Sequence, residues 1–448
     1  MRARCWLIAA AVGVAALVGA HGAQAMAVQV VTSPGGITAW LVEDHSLPVV
    51  SLEASFIGGS AEDPKTKSGL AELTFDLLDE GAGDMDSSAF QRKVEDLATS
   101  LDFNVDRDTA SVDLRTLSAN LAPTLDLVRL ALTAPRFADT AVARVRGQLV
   151  DELEEEASDP ESRADRIWWS AEFSGHPYGM PVRGTVSSVT AITPDDMRAF
   201  MRTRIARDAM LVGVVGDVTA AQLGPLLDKT FGGLPAHAAP SPMTAATPQS
   251  GGQMLLLTMK IPQSAIVFGQ PGIHRDDKDW YAAYLVSHIL AGNGLTSRLV
   301  RELREKRGLV YSVYADLDPL LHGGVILGAV ATENAHVAES IDLIRAEWAR
   351  MRDKGPTAAE LAAAKIYLTG SFPLGFDSTL RIAGLLVLIQ KEHLGVDYLD
   401  RRSALIDAVT LADAQRAAKR ILDPAALSFA VVGLPGSLPG ARTIAPGE

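Results

Sequence analysis

Gly58 to Glu80 reads GGSAEDPKTKSGLAELTFDLLDE, and this stretch sets the frame for the rest of the chain. It follows a β-rich segment, Ile37 to Ile57, which carries a turn near Glu43-Asp44-His45. Gly58-Gly59 ends that strand and lets the backbone turn; without a G-x-G-x-x-G context it does not read as a phosphate loop. A helix is predicted from about Ser68 to Glu80, stopped at Gly81. Glu72 and Asp76 stand four residues apart, on one face of that helix, with Phe75 between them. A strand, a Gly-Ser loop and a helix with acids at i and i+4 form one unit of a mixed α+β half.

Outward from that unit, a second helix is predicted from Ser87 to Leu101, capped by Ser87 or Ser88. The alternation in Thr109-Ala110-Ser111-Val112-Asp113-Leu114 reads as a strand, and Leu121 to Leu132 as a helix. Ala141 to Ala157 is a long acidic helix stopped by Pro160, with Glu152 to Glu156 on a solvated face. Ala209 to Val215 closes the half as an apolar strand ending in Gly216-Asp217. A second half repeats the order. Met254 to Gly269 is β-rich, Asp279 to Leu290 and Thr296 to Lys306 are helices, and Tyr311 to Leu317 and Gly324 to Thr332 are strands. Val337 to Lys354 and Thr357 to Leu368 are helices, and Leu427 to Val432 is the closing strand. The closing segments LVGVVGD and FAVVGLP are directly similar. The fold class expected is therefore α+β: two duplicated halves, each a mostly antiparallel sheet packed with helices. Residues 238–251, AAPSPMTAATPQSG, are uncharged and rich in Pro, Ala, Ser and Thr, and read as the linker between domains at 26–237 and 252–448.

A chain of 448 residues needs more than one core, and 48% hydrophobic with 21% charged residues is a globular composition. A net charge of −13 argues against a nucleic-acid partner. Arg2 and Arg4 precede the apolar run Trp6 to Val18, and Ala23-Gln24-Ala25 is a small-x-small cleavage site. Residues 1–25 are therefore expected to be a cleaved signal peptide, with no membrane span after cleavage and a periplasmic or secreted mature chain beginning near Met26. The single cysteine, Cys5, lies inside this signal, so the mature chain has no disulfide, thiol nucleophile or cysteine metal site.

The Gly58–Glu80 stretch resembles the first active-site segment of the pitrilysin/insulinase zinc peptidases. His176-Pro177-Tyr178-Gly179, the Gly216-Asp217 strand end and the linker extend the resemblance over nearly all of the mature chain. In that family a helix carries H-x-x-E-H: two imidazoles one turn apart bind zinc, and the glutamate is general base on the metal-bound water. The resemblance puts the histidine positions on Glu72 and Asp76, the general-base position on Phe75 and the third ligand on Glu152. A phenylalanine cannot accept a proton, and no pair of histidines at i, i+4 occurs anywhere in the sequence. The resemblance thus implies a chain with no catalytic residues of its own and no metal. Glu72, Asp76 and Glu152 are expected to be solvated or paired with Arg or Lys, the alternative being an all-oxygen site for calcium or magnesium.

Asn293 to Tyr314, NGLTSRLVRELREKRGLVYSVY, resembles the family's second substrate-site segment. There an Arg at a helix end and a Tyr on the following strand reach the substrate; here they correspond to Arg304 and Tyr311. Read alone, Arg304 suits a helix salt bridge with Glu302 or Glu305, and Tyr311 a half-buried strand tyrosine. The resemblance instead implies binding of a peptide substrate in trans. The expected partner is a catalytic family member with an intact H-x-x-E-H that carries the zinc. The alternative is a stand-alone peptide-binding or scaffold protein. His176 is read as structural, and Trp168-Trp169 as core or domain interface.

Overall fold

The computed structural model describes residues 27–241, 243–249, 251–292 and 294–445. The expected signal peptide lies outside the described residues. Two six-stranded mixed sheets and their helices form the α+β architecture expected from the sequence. The first sheet uses β1 (Val28–Thr32), β2 (Thr38–Glu43), β3 (Val49–Ile57), β4 (Ser100–Val105), β5 (Thr109–Leu117) and β6 (Met210–Gly216). Its order is β1-β2-β6-β3-β5-β4, with β2 and β6 parallel and the other neighbours antiparallel. The second sheet uses β7 (Met254–Thr258), β8 (Gln263–Pro271), β9 (Val310–Leu320), β10 (Gly323–Glu333), β11 (Ser428–Gly433) and β12 (Arg442–Ile444). Its order, β12-β7-β11-β8-β10-β9, matches the first over the five strands β2-β6-β3-β5-β4, while the edge position is filled by the N-terminal, antiparallel β1 in one sheet and by the C-terminal, parallel β12 in the other. The two similar closing segments are β6 and β11, and each lies third from the edge.

Each sheet is covered on one face by its own half and on the other by a helix from the opposite half. In β3, Val50, Leu52, Ala54 and Phe56 enter the first core with helices Leu121–Thr133 and Asp139–Glu156, as a two-residue side-chain period requires. The opposite face receives helix Thr379–Lys391 of the second half, through Ile382, Ala383 and Leu386 against Val42 and Val215. Ser51 of β3 hydrogen-bonds Thr379 at 2.7 Å on that face. Reciprocally, helix Pro160–Glu172 of the first half lays Ile167, Trp168 and Trp169 on Leu255, Val267 and Val432 of the second sheet. The pair Trp168-Trp169 is thus interface core, buried between the halves with Phe173 stacked on Trp169 at 5.2 Å. Burying aromatic surface across the junction makes one body of two half-sized units.

Several element boundaries differ from those the sequence suggested. The helix expected over Ser68 to Glu80 is an α-helix only over Leu70–Phe75, and continues as tight turns in which Leu77 and Leu78 bond back three residues to Thr74 and Phe75. The Ser87 helix ends at Asp96, so Leu101 belongs to β4, and its cap is Asp86, which accepts from the Ala89 N–H. Pro160 does not merely stop the acidic helix. It opens the next one at its first position, with Asp159 as cap, because the ring's fixed φ and missing N–H suit a first turn. The helix expected over Thr296 to Lys306 is wound as a π-helix over Val300–Glu305. No helix among the described residues is long and apolar enough to cross a membrane.

Candidate functional site

The motif helix Leu70–Phe75 is held at its start by a carboxylate from outside it. Asp63, buried, accepts the N–H groups of Gly69 and Leu70 at 2.9 Å and of Ala71 at 3.1 Å. These are donors that a helix start leaves without intrahelical partners. Phe75 points into the core, 1% exposed, edge-on to Phe103 and Phe200 with centroids 6.4 and 6.3 Å away. The position that would hold a general base is therefore a hydrophobic anchor.

Glu72 and Asp76 face the acidic helix Asp139–Glu156, and between them and that helix lies Arg183. Its guanidinium Nε is 3.3 Å from Glu72, while its two terminal nitrogens pair with Glu152 and Glu156. Glu152 and Glu156 stand four residues apart and share one helix face. The acidic run is thus an ion-pair surface for Arg183 as well as a solvent face, which corrects the reading of Glu152 to Glu156 as merely solvated. The expectation that the acids pair with Arg or Lys is met for Glu72 and Glu152, by a residue the sequence reading did not single out. Burial raises the Glu72 carboxyl above its ordinary range and Arg183 opposes that rise. Asp76 is pushed up to about 7, by burial first and then by Glu72, with Arg183 opposing.

Arg183 reaches this position because its turn is docked on the loop before the motif helix. Gly184, at φ 76°, packs against the Ser68 backbone, where a Cβ would collide with the Ser68 carbonyl. Ser188 donates to the Ser68 carbonyl at 2.8 Å and accepts from the Ser68 hydroxyl at 3.0 Å. His176 does structural work nearby: its Nδ1 accepts the Tyr178 N–H at 3.2 Å and its ring lies 4.9 Å from that of Tyr178. Beyond Arg183 opens a cavity of about 650 Å³ between the halves, with Glu156, Arg166, Trp169 and Arg183 on one wall and Tyr314 and Leu317 on the other. Arg107 stacks over Trp169 at 3.7 Å, and burial with the neighbouring Arg107 sets opposing pulls on Asp165, burial the larger.

Arg304 and Tyr311 sit together elsewhere. Along β9, Val313 pairs with Val330 and Val310 with Thr332, so two residues, Tyr311 and Ser312, oppose the single Ala331. This β-bulge takes Tyr311 off the buried face that Val310 and Val313 share. Tyr311 is 85% exposed, and the Arg304 guanidinium lies over its ring at 5.2 Å. The structure therefore replaces both bland readings. Glu302 pairs with Lys306 and Arg307, leaving Arg304 to the tyrosine, and the tyrosine is not half-buried. Neither residue lines the cavity beside Arg183.

Two family profiles match in tandem: "Insulinase (Peptidase family M16)" over residues 39–186 and "Peptidase M16 inactive domain" over residues 191–368. The chain belongs to the M16 insulinase family. A crystal structure described as the peptidase M16 inactive domain from Pseudomonas fluorescens superposes with a TM-score of 0.85 at 27% identity, covering 92% of this chain and 98% of that one. An uncharacterized zinc protease of Mycobacterium leprae is 26% identical over 401 residues, 88% of either chain. The non-peptidase homolog YmxG of Helicobacter pylori is 26% identical over 334 residues, 74% of this chain and 77% of the relative. Within M16 this is an inactive peptidase-fold protein of the type that lacks H-x-x-E-H. The donor set does not fit the family's zinc: the motif positions offer carboxylate oxygens and a phenyl ring instead of imidazoles, and a guanidinium already contacts Glu72 and Glu152.

Proposed function

We propose that this chain is the non-catalytic, substrate-clamping subunit of a heteromeric zinc metallopeptidase that degrades or processes peptides. The partner is an M16 member with an intact H-x-x-E-H, and the zinc belongs to that partner. The N-terminal Arg2/Arg4, the apolar run Trp6 to Val18 and the Ala23-Gln24-Ala25 site support export and assembly in the periplasm. One observation carries the reading: a bulge presents Tyr311 to solvent beside Arg304, in a chain whose own motif helix has a phenylalanine for a base. A cation and a phenol held at one exposed point supply hydrogen-bond donors for a peptide backbone and for charge developing on a carbonyl oxygen.

The test is reconstitution with an M16 member that retains H-x-x-E-H. Arg304→Ala and Tyr311→Phe should each lower turnover of a peptide substrate, by about 100-fold for a lost transition-state donor, with a smaller change in KM. Size-exclusion chromatography checks that assembly is intact. Wild-type turnover in both variants sinks the clamp and leaves the stand-alone peptide-binding or scaffold reading.

A further inference from the structure

We propose that the cleft of about 650 Å³ between the two halves is a binding site for a short zwitterionic peptide, a di- or tripeptide with both ends free, whose carboxylate meets Arg166 and whose ammonium meets Asp316. The inference does not rest on the heteromer reading: neither Arg304 nor Tyr311 lines this cleft, and the isolated chain suffices to test it.

Helix Pro160–Glu172 presents Ser162, Asp165, Arg166 and Trp169 along one face, at i, i+3, i+4 and i+7, and all four line the cleft. Facing them, the two-residue period of β9 and β10 brings Tyr314 and Asp316 onto the wall of the second sheet beside Ala329 and Leu327, their partners in register. Val267 of β8, in register with Ala329, extends an apolar floor between the charges. Most of the charge on the walls is already matched or solvated. Arg183 pairs with Glu156, Arg107 lies over Trp169 with Asp165 and Asp318 in its field, and Glu161 stands in solvent at the helix start. Arg166 and Asp316 differ. Arg166 donates to the Gly184 carbonyl at 3.4 Å and has no carboxylate at ion-pair distance among the described residues, while Arg163 adds to the positive field around it. Asp316, on the opposite wall, meets no cation at that distance among the described residues; the cleft desolvates its carboxyl and raises it, with no charge opposing the rise. Each of these two groups gains from a ligand charge of the opposite sign. The ligand's class and size follow from the walls. Four arginines against five carboxylates leave the lining nearly neutral, which suits neither a polyanion nor a polycation but a molecule with one charge of each sign. A cube of 650 Å³ has an edge of about 9 Å, and an extended chain advances about 3.5 Å per residue, so a di- or tripeptide spans it. Trp169, Tyr314 and the floor of Val267 and Leu327 offer the aromatic and apolar surface that small-molecule sites give to a ligand's side chains.

The experiment titrates the isolated mature chain by calorimetry with the tripeptide Ala-Leu-Ala, beside its N-acetyl and its C-amide forms. The free tripeptide should bind, and blocking either end should weaken binding about tenfold or more, as the loss of one hydrogen bond to a charged group does. Arg166→Gln should bind the free acid and the C-amide alike yet still discriminate against the N-acetyl form. Asp316→Asn should do the reverse: it should accept the N-acetyl form as well as the free amine and still discriminate against the C-amide. Arg304→Ala, outside the cleft, should leave all three affinities unchanged whatever it does to turnover in the reconstituted pair, so the two proposals fail separately. Three results each overturn the site: no binding of the free tripeptide at millimolar concentration, equal affinity for the free and blocked forms, or full discrimination surviving in either cleft variant. The comparison of free and blocked peptides on the wild-type chain decides the matter even where a variant does not fold.

Discussion

The two segments that resemble family active-site elements have taken opposite courses in this molecule. The first, around Glu72, Phe75 and Asp76, is closed: its central residue is core, and its acids meet an arginine from the same chain. The second, around Arg304 and Tyr311, is open: its tyrosine is 85% exposed and turned outward by a bulge. In the first segment Arg183 pairs with the carboxylates and Phe75 anchors the helix in the core, so packing and ion pairing govern it. The second segment keeps its side chains in solvent, where they contribute little to folding and, under the proposed clamp, stay available to another molecule. Closed and open are therefore thermodynamic statements, and substitutions in the two segments should differ in which quantity they change.

The largest expected effect is at Phe75. Replacing it by Glu, the residue type of an active motif, removes a buried aromatic and places a charge among Phe103 and Phe200. The loss of stability should be on the order of 4 kcal/mol or more, read by denaturant unfolding. A loss below about 1 kcal/mol would mean the position is not core, and the contrast between the segments would collapse. The same geometry bears on rebuilding the motif. Glu72→His, Phe75→Glu and Asp76→His together leave Arg183 at Glu152, so zinc affinity should require a fourth substitution at Arg183.

Asp63 should come next. Its carboxylate accepts three consecutive N–H groups at the start of the motif helix, and Ala there leaves those buried donors unmatched. A loss of about 2 kcal/mol is expected, with faster amide exchange at Gly69 to Ala71. Exchange at the Val300–Glu305 turn should be unaffected. A change there of the same size would show that the two segments are not independent.

Much of this was legible in the sequence. The similarity of LVGVVGD and FAVVGLP located the equivalent central strands β6 and β11, and the alternation at Thr109 to Leu114 located β5. The loss of the zinc motif needed only the identities of residues 72, 75 and 76. What escaped was non-local. Arg183 lies 31 residues from Glu152 and 27 from Glu156, so no spacing rule joins them. Asp63 caps a helix that begins seven residues later, outside the usual cap position. Helix Thr379–Lys391 packs on the other half's sheet, which no periodicity within its own half announces. The Asp159-Pro160 pair is a local signal of a helix start, a cap followed by proline at the first position, as well as the stop of the helix before it. The bulge at Tyr311 depends on the register of β10 against β9, and one strand's sequence does not contain its partner's register.

The smallest expected effect is the one that most sharpens the contrast. Arg304 over Tyr311 at 5.2 Å is a cation–π contact, but an exposed one, and water competes for both partners. Such contacts contribute about 0.5–1 kcal/mol at exposed sites. In the isolated chain, Arg304→Ala and Tyr311→Leu should each shift the unfolding free energy by about 0.5 kcal/mol, several times less than Phe75→Glu. Their double variant should lose little more than either single one, since both remove the same contact. The neighbouring ion pairs of Glu302 with Lys306 and Arg307 hold the turn without either residue, so its backbone should persist. A loss above about 2 kcal/mol from either substitution would make the pair a structural element and remove the basis for reading it as a surface kept for a second molecule. A small loss of stability combined with a large loss of turnover in the reconstituted pair is the signature of a residue retained for contact in trans.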